Sequence, residues 1–320
     1  MLDRATAPQF GTIKDMCLIE TTIHHLDNGI PVFSVNTGIQ EVTKVELVFD
    51  AGTATASRTL VASTTTKLLT SGTSNKTAAE IAESVDFFGA YLQAETSHDD
   101  CSLNLFTLSK YLPQTLPILA EVYTDVVFSE KEITTHLSQS QQQMLVNREK
   151  VSYLGAKAFA AAMFGKHHPY GRSASVADYD SITRNELVGF YQNHIKGGVK
   201  HIIVAGKLSK NTIAQLNDAF GNTEQKEPSP SSFDIEPNTP TTVHAEKADA
   251  VQNSIKIGRV LFNRKHPDFI GLQVLTTVLG GYFGSRLMTN IREDKGYTYG
   301  IGSGMVSMKN IFQCLPFMKH

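Results

Sequence analysis

The sequence predicts an α+β fold, a sheet with helices packed on it, in two units joined by a polar linker. Three observations carry that reading. Strand-like and helical stretches follow one another in the order β, α, α, β, β, α, α, α, β, α over the first two-thirds of the chain. From Asn222 to about Val243 the chain turns polar and rich in Pro and Ser, with Pro228, Pro230, Pro237 and Pro240, as an interdomain linker would. After it, the strand-then-helix order of the opening returns, as two related halves would show. The expected division is 1–221, a linker over 222–243, and 244–320.

The first element is a hairpin. Thr21–His25 and Ile30–Val35 flank Leu26-Asp27-Asn28-Gly29, and Asn-Gly favours a tight turn with positive φ. Val42–Phe49 reads as a strand with Val45, Leu47 and Phe49 on one face. Thr77 and Glu80 form a capping box ahead of Ala78, Ile81, Ala82, Val85 and Phe88, and Gly89 is the stop. Strands are expected near Ala90–Thr96 and Cys101–Leu108, then a helix over Leu112–Val127 and a long one from Glu130 towards Phe164. A helix near Ile182–His194, a strand His201–Val204 and a helix near Lys210–Phe220 close the first unit. In the second, Asn253–Leu261 is one strand and Asp268 to about Leu279 a helix. The tail, 310–320, has neither a clean period nor a cap.

Composition excludes several classes. With 320 residues, 41 % hydrophobic and 19 % charged, the chain can bury a sizeable core. A net charge of −2 gives no basic excess for nucleic acid or an anionic membrane surface. Cys17, Cys101 and Cys314 form no CxxC pair, against both a disulfide framework and a zinc knuckle. No stretch approaches the ~18 apolar residues of a membrane span, and the start shows no signal peptide. A soluble, cytoplasmic protein is expected, with a periplasmic one as the alternative.

No GxSxG elbow, GxxxxGK[ST] loop or HExxH motif is present. The glycines of Gly280-Gly281-Tyr282-Phe283-Gly284 lack the Lys-Ser/Thr of a phosphate loop, so a turn or a close backbone approach is expected there. His24 and His25 point to opposite strand faces, His98-Asp99-Asp100 reads as a turn, and His167-His168-Pro169-Tyr170 as a packing loop.

Gly280–Gly300 reads GGYFGSRLMTNIREDKGYTYG. This resembles the C-terminal-domain signature of the pitrilysin/insulinase (inverzincin) peptidase family, in which Ser-Arg-Leu precedes Arg-Glu-x-x-Gly-x-x-Tyr. Leu26-Asp27-Asn28-Gly29, Phe49-Asp50-Ala51-Gly52, Phe88-Gly89-Ala90 and His168-Pro169-Tyr170-Gly171 stand in family order, so the resemblance covers roughly Thr22 to Lys309. It implies two related α/β sandwich domains of the processing-peptidase type, the second shortened, because the tail departs from the family pattern after Lys309.

Active members of that family carry HxxEH on one helix and a distant Glu on another. Two His at i and i+4 share a helix face and hold Zn²⁺, while the Glu between them activates the metal-bound water. Counted back from Gly72-Thr73, those positions hold Ser63, Thr66 and Lys67, and the distant Glu falls at about Gln143. Ser and Gln are poor zinc ligands, Thr66 cannot act as a base near neutrality, and Lys67 puts an ammonium where a dication would sit. No catalytic zinc is therefore expected in this chain.

Arg292 and Tyr299 stand where the family holds substrate and stabilises the reacting carbonyl, a task suited to a guanidinium and a phenol. The competing account pairs Arg292 with Glu293, Asp294 or another acid and packs Tyr299 in a strand. The resemblance implies the zinc-less, Arg/Tyr-bearing subunit of two-chain bacterial members: zinc in an HxxEH-bearing partner, and unfolded peptides as substrate. A non-proteolytic structural or binding relative, or a truncated inactive product, are the alternatives.

Overall fold

The computed structural model describes residues 11, 17–226 and 241–309, and the backbone of 312–319. β1 (Thr22–His25) and β2 (Pro31–Asn36) form the expected hairpin, in register Thr22↔Ser34 to His25↔Pro31. Gly29, at φ 85°, makes the turn, a conformation that costs glycine little. Asn28 then ties the turn to distant chain, its Nδ2 donating to the carbonyls of Phe220 and Thr223 at 2.9 Å each.

β3 (Val42–Phe49) buries Thr43, Val45, Leu47 and Phe49 on one face and turns Lys44 and Glu46 to the other, where they pair at 2.6 Å. α1 (Val61–Leu68) and α2 (Ala78–Asp86) follow. Thr77 and Glu80 make both capping-box bonds, as the spacing predicts. β4 (Tyr91–Thr96) and β5 (Cys101–Leu108) complete the edge. α3 (Leu112–Thr124) leads to α4 (Glu130–Arg148) and α5 (Val151–Phe164).

The single long helix expected over 130–164 is therefore two. Lys150 leaves helical geometry at φ −92°, ψ 123°, and its Nζ donates to Asn147 Oδ1 at 2.9 Å. No Gly or Pro marks this break, which is why the sequence hid it. α6 (Val176–Ser181), α7 (Arg184–Phe190), a π-helical turn Tyr191–Ile195, β6 (Val199–Gly206) and α8 (Thr212–Phe220) finish the unit.

The six strands order β1-β2-β6-β3-β5-β4, with β2 parallel to β6 and the other pairs antiparallel. Helices cover one face. Leu47, Leu103 and Leu105 of the sheet meet Leu119 of α3 and Leu216 of α8, all fully buried. Each such side chain contributes about 1.5–3 kcal/mol over exposure. Phe49, Tyr123 and Phe220 form an aromatic column, with centroids 5.7 and 6.3 Å apart. The Tyr123 hydroxyl accepts the Gly197 N–H at 3.0 Å, so its polar end is satisfied inside the core.

The second unit holds β7 (Ser254–Lys256), β8 (Arg259–Leu261), α9 (Phe269–Gly280), a π-helical turn Met288–Asp294, β9 (Gly300–Ser307) and β10 (Phe312–Lys319). The one strand expected over 253–261 is thus interrupted at Ile257-Gly258. The tail, in which no element was read, forms β10, pairing with β9 over its whole length and with β7 and β8 on its other edge. Gly280 supplies a close approach, since a Cβ there would lie 2.4 Å from the Ser303 nitrogen. Within the expected linker, 227–240 lie outside the described residues. Across the junction, Ser254 of β7 sits against Gly155 of α5, and Ala54, Tyr170 and Met308 share a small buried cluster.

Candidate functional site

The cleft between α1 and α4 gathers two of the four side chains expected at zinc-ligand positions, Ser63 and Lys67. Leu60, Ser63, Thr64 and Lys67 recur at i, i+3, i+4 and i+7, which places them on one helix face. They line a cavity of about 360 Å³ with Ala94 and Thr96 of β4, His136 and Ser140 of α4, and Tyr179 of α6. Leu60 holds φ 71°, a left-handed conformation costly for a branched residue, and its carbonyl accepts the Ser63 hydroxyl at 3.2 Å.

Ser63 and Lys67 thus meet in one cavity. Thr66 does not line it: it is fully buried, with its hydroxyl beside the Cys101 thiol. Burial pushes that thiol up to about 12, against a smaller opposing pull from Thr66. Gln143 lies further along α4, exposed, its amide donating to Asn147 Oδ1 at 3.4 Å. The α4 residues at the cavity are His136 and Ser140, which the sequence reading missed. They precede Gln143 by seven and three residues, one helix face, so stepping back at helical spacing would have found them.

The cavity carries one positive charge. His136 is held below its ordinary value by burial first and by the charge of Lys67 second, which keeps the ring neutral near pH 7. The Ser140 hydroxyl lies 3.4 Å from His136 Nε2. An ammonium, hydroxyls and one imidazole do not make a zinc site, which needs three or four thiolate, imidazole or carboxylate donors. Among the described residues no group of three or more His, Cys, Asp or Glu is placed to hold a metal ion.

Arg292 and Tyr299 belong to the second unit and line neither this cavity nor the groove between α9 and β9. Arg292 sits in the π-helical turn with its guanidinium carbon 4.9 Å from the centre of the Phe283 ring. It makes no ion pair among the described residues. Tyr299, just ahead of β9, is 89 % exposed. Its neighbour Thr298 is buried and donates to the Gly300 carbonyl at 2.9 Å, which anchors the backbone beneath the exposed ring.

Two domain profiles of one family match almost end to end. Residues 32–174 match the insulinase family, peptidase family M16, and residues 181–314 match the peptidase M16 inactive domain. The chain belongs to the insulinase family. Relatives include an uncharacterized zinc protease of Rickettsia felis, 24 % identical over 292 residues covering 88 % of this chain and 69 % of that protein. Another, an uncharacterized zinc protease of Bacillus subtilis, is 26 % identical over 72 % of this chain and 56 % of its own length. The mitochondrial-processing peptidase subunit beta of Rattus norvegicus is 26 % identical over 88 % of this chain and 58 % of that subunit. This insulinase-family chain therefore spans between about half and two-thirds of the length of these relatives.

Solved structures agree on the fold. The peptidase M16 inactive domain from Pseudomonas fluorescens superposes with a TM-score of 0.84 at 23 % identity, covering 94 % of this chain and 75 % of that one. A protease from Helicobacter pylori gives 0.86 at 18 % identity, covering 95 % and 75 %. The boundary between the two family profiles falls before α7, whereas β6 is built into the first sheet between β2 and β3. No helix among the described residues is long and apolar enough to cross a membrane.

Proposed function

We propose that this insulinase-family chain is the non-catalytic subunit of a two-chain zinc peptidase and supplies Arg292 and Tyr299 to a homologous partner that carries HxxEH. The observation that carries this is the contrast between the two units. The α1–α4 cleft is lined by Ser63 and Lys67, which the family resemblance sets at ligand positions, while Arg292 and Tyr299 keep polar ends available outside the core.

The chemistry divides accordingly. Zinc, held by the partner, would supply the activated water. Arg292 would hold a carbonyl of an unfolded peptide, and the Tyr299 phenol would donate a hydrogen bond to the oxygen that gains negative charge as the peptide bond is attacked. Both tasks need donors fixed before reaction; the Phe283 ring lies under Arg292, and the exposed Tyr299 phenol would be fixed only by the bound peptide or the partner.

The test is peptide hydrolysis by the reconstituted pair. Tyr299→Phe should lower kcat by about 10²-fold or more, the usual effect of removing one oxyanion donor, and Arg292→Ala should raise KM as well. Full activity with both replaced would overturn the proposal.

A further inference from the structure

The cavity between α1 and α4 holds one cation and no acid. Lys67, an exposed residue at its mouth, has no carboxylate partner among the described residues, and none of the side chains lining the cavity is acidic. Around it stand uncharged hydroxyls: Ser63, which donates to the Leu60 carbonyl, and Thr64 from α1, Ser140 from α4 and Thr96 from β4. Leu60 and Ala94 supply apolar wall, and about 360 Å³ is ample for a short side chain or a chain end.

We infer that this cleft is a carboxylate-binding subsite, in which Lys67 pairs with the carboxylate of a peptide, at an acidic side chain or at the C-terminus, and Ser140 donates to one of its oxygens. A carboxylate fits better than a phosphate. The site offers a single cation and no guanidinium, whereas a dianionic phosphate is held by several cations or by a bidentate fork. His136 adds no second charge, because burial and Lys67 keep its ring neutral. The inference rests on the peptide-handling reading only for the molecule that bears the carboxylate. The binding is measurable on this chain alone, with no partner and no hydrolysis, so either can fail without the other.

The experiment is calorimetric or NMR titration of the full chain with four probes. Acetyl-Ala-Ala-Glu-amide carries only a side-chain carboxylate, acetyl-Ala-Ala-Gln only a terminal one, acetyl-Ala-Ala-Gln-amide neither, and inorganic phosphate tests the other anion. Saturable binding of at least one acid is expected, with the neutral amide weaker by about tenfold or more, as a charge-assisted contact implies. Which acid binds identifies the source. Lys67→Met should remove that preference and Lys67→Arg should keep most of it, with Ser140→Ala weakening binding severalfold. Lys67 is exposed, so these variants are expected to fold, and a melting curve checks that they do. Equal binding of acid and amide, an unchanged Lys67→Met, phosphate binding tighter than either acid, or no saturable binding of either acid would each overturn the inference.

Discussion

Lys67 faces His136 across the cleft between α1 and α4, an ammonium set beside an imidazole. The imidazole is depressed by burial first and by Lys67 second.

Replacing Lys67 by Met should therefore raise the His136 pKa while leaving it below the ordinary value, because the burial contribution stays. NMR titration of the His136 ring reads this directly, and a fall or no change would refute the contact. The sign for stability follows. A histidine depressed in the folded state binds fewer protons than in the unfolded chain, so stability decreases as pH drops below about 6.5. His98, His194 and His201 are depressed by burial in the same direction. Urea midpoints should fall from pH 7 towards pH 5, less steeply in the Lys67→Met variant.

A second pH effect has its origin at the junction of the two units. Burial pushes the Asp50 carboxyl up, but the hydrogen bond and charge of Lys200, and then those of Lys309, outweigh it and hold the group below the usual carboxylate value. The Nζ atoms lie 3.0 and 3.2 Å from Oδ1. A depressed carboxyl contributes stability that is present above about pH 4 and lost as pH falls through the folded value. Lys200→Met should be less stable than the parent at pH 7, and the gap should close near pH 3. A gap that persists unchanged at pH 3 would mean the pair is not its cause.

Gly52 is required by packing. A Cβ at this position would lie 2.2 Å from the His98 carbonyl oxygen and 2.5 Å from the Asp99 carbonyl carbon. That turn cannot retreat without breaking the bonds from Gly52, Thr53 and Ala54 nitrogens to Asp99, Ser97 and His98. Gly52→Ala should destabilise by about 2–4 kcal/mol, in the range of strained core changes. A melting temperature within a degree of the parent would contradict this.

Local chemistry made much of the fold legible. The Asn28-Gly29 turn, the alternation in Val42–Phe49 and the Thr77/Glu80 box each depend on neighbouring residues, and each is present. What the sequence concealed depends on distant partners. The break at Lys150 follows no breaker residue and coincides with β7 packing on α5. β10 is a strand because β9 pairs with its whole length. At the candidate site, Ser63 and Lys67 share one cavity with His136 and Ser140, which helical spacing back from Gln143 could have suggested but which α4 laid against α1 brings to it. Sequence spacing alone could not orient Thr66 into the core or show that Tyr299 is exposed.

The most direct test of the partner-subunit role is zinc content and peptide hydrolysis, measured on the purified chain alone and then mixed with an HxxEH-bearing homologue. A non-catalytic subunit predicts no stoichiometric zinc and no hydrolysis alone, with activity appearing only in the mixture. Stoichiometric zinc together with hydrolysis by the chain alone would contradict it, and would mean that Ser63, Thr66, Lys67 and Gln143 are not the positions that replaced the metal ligands.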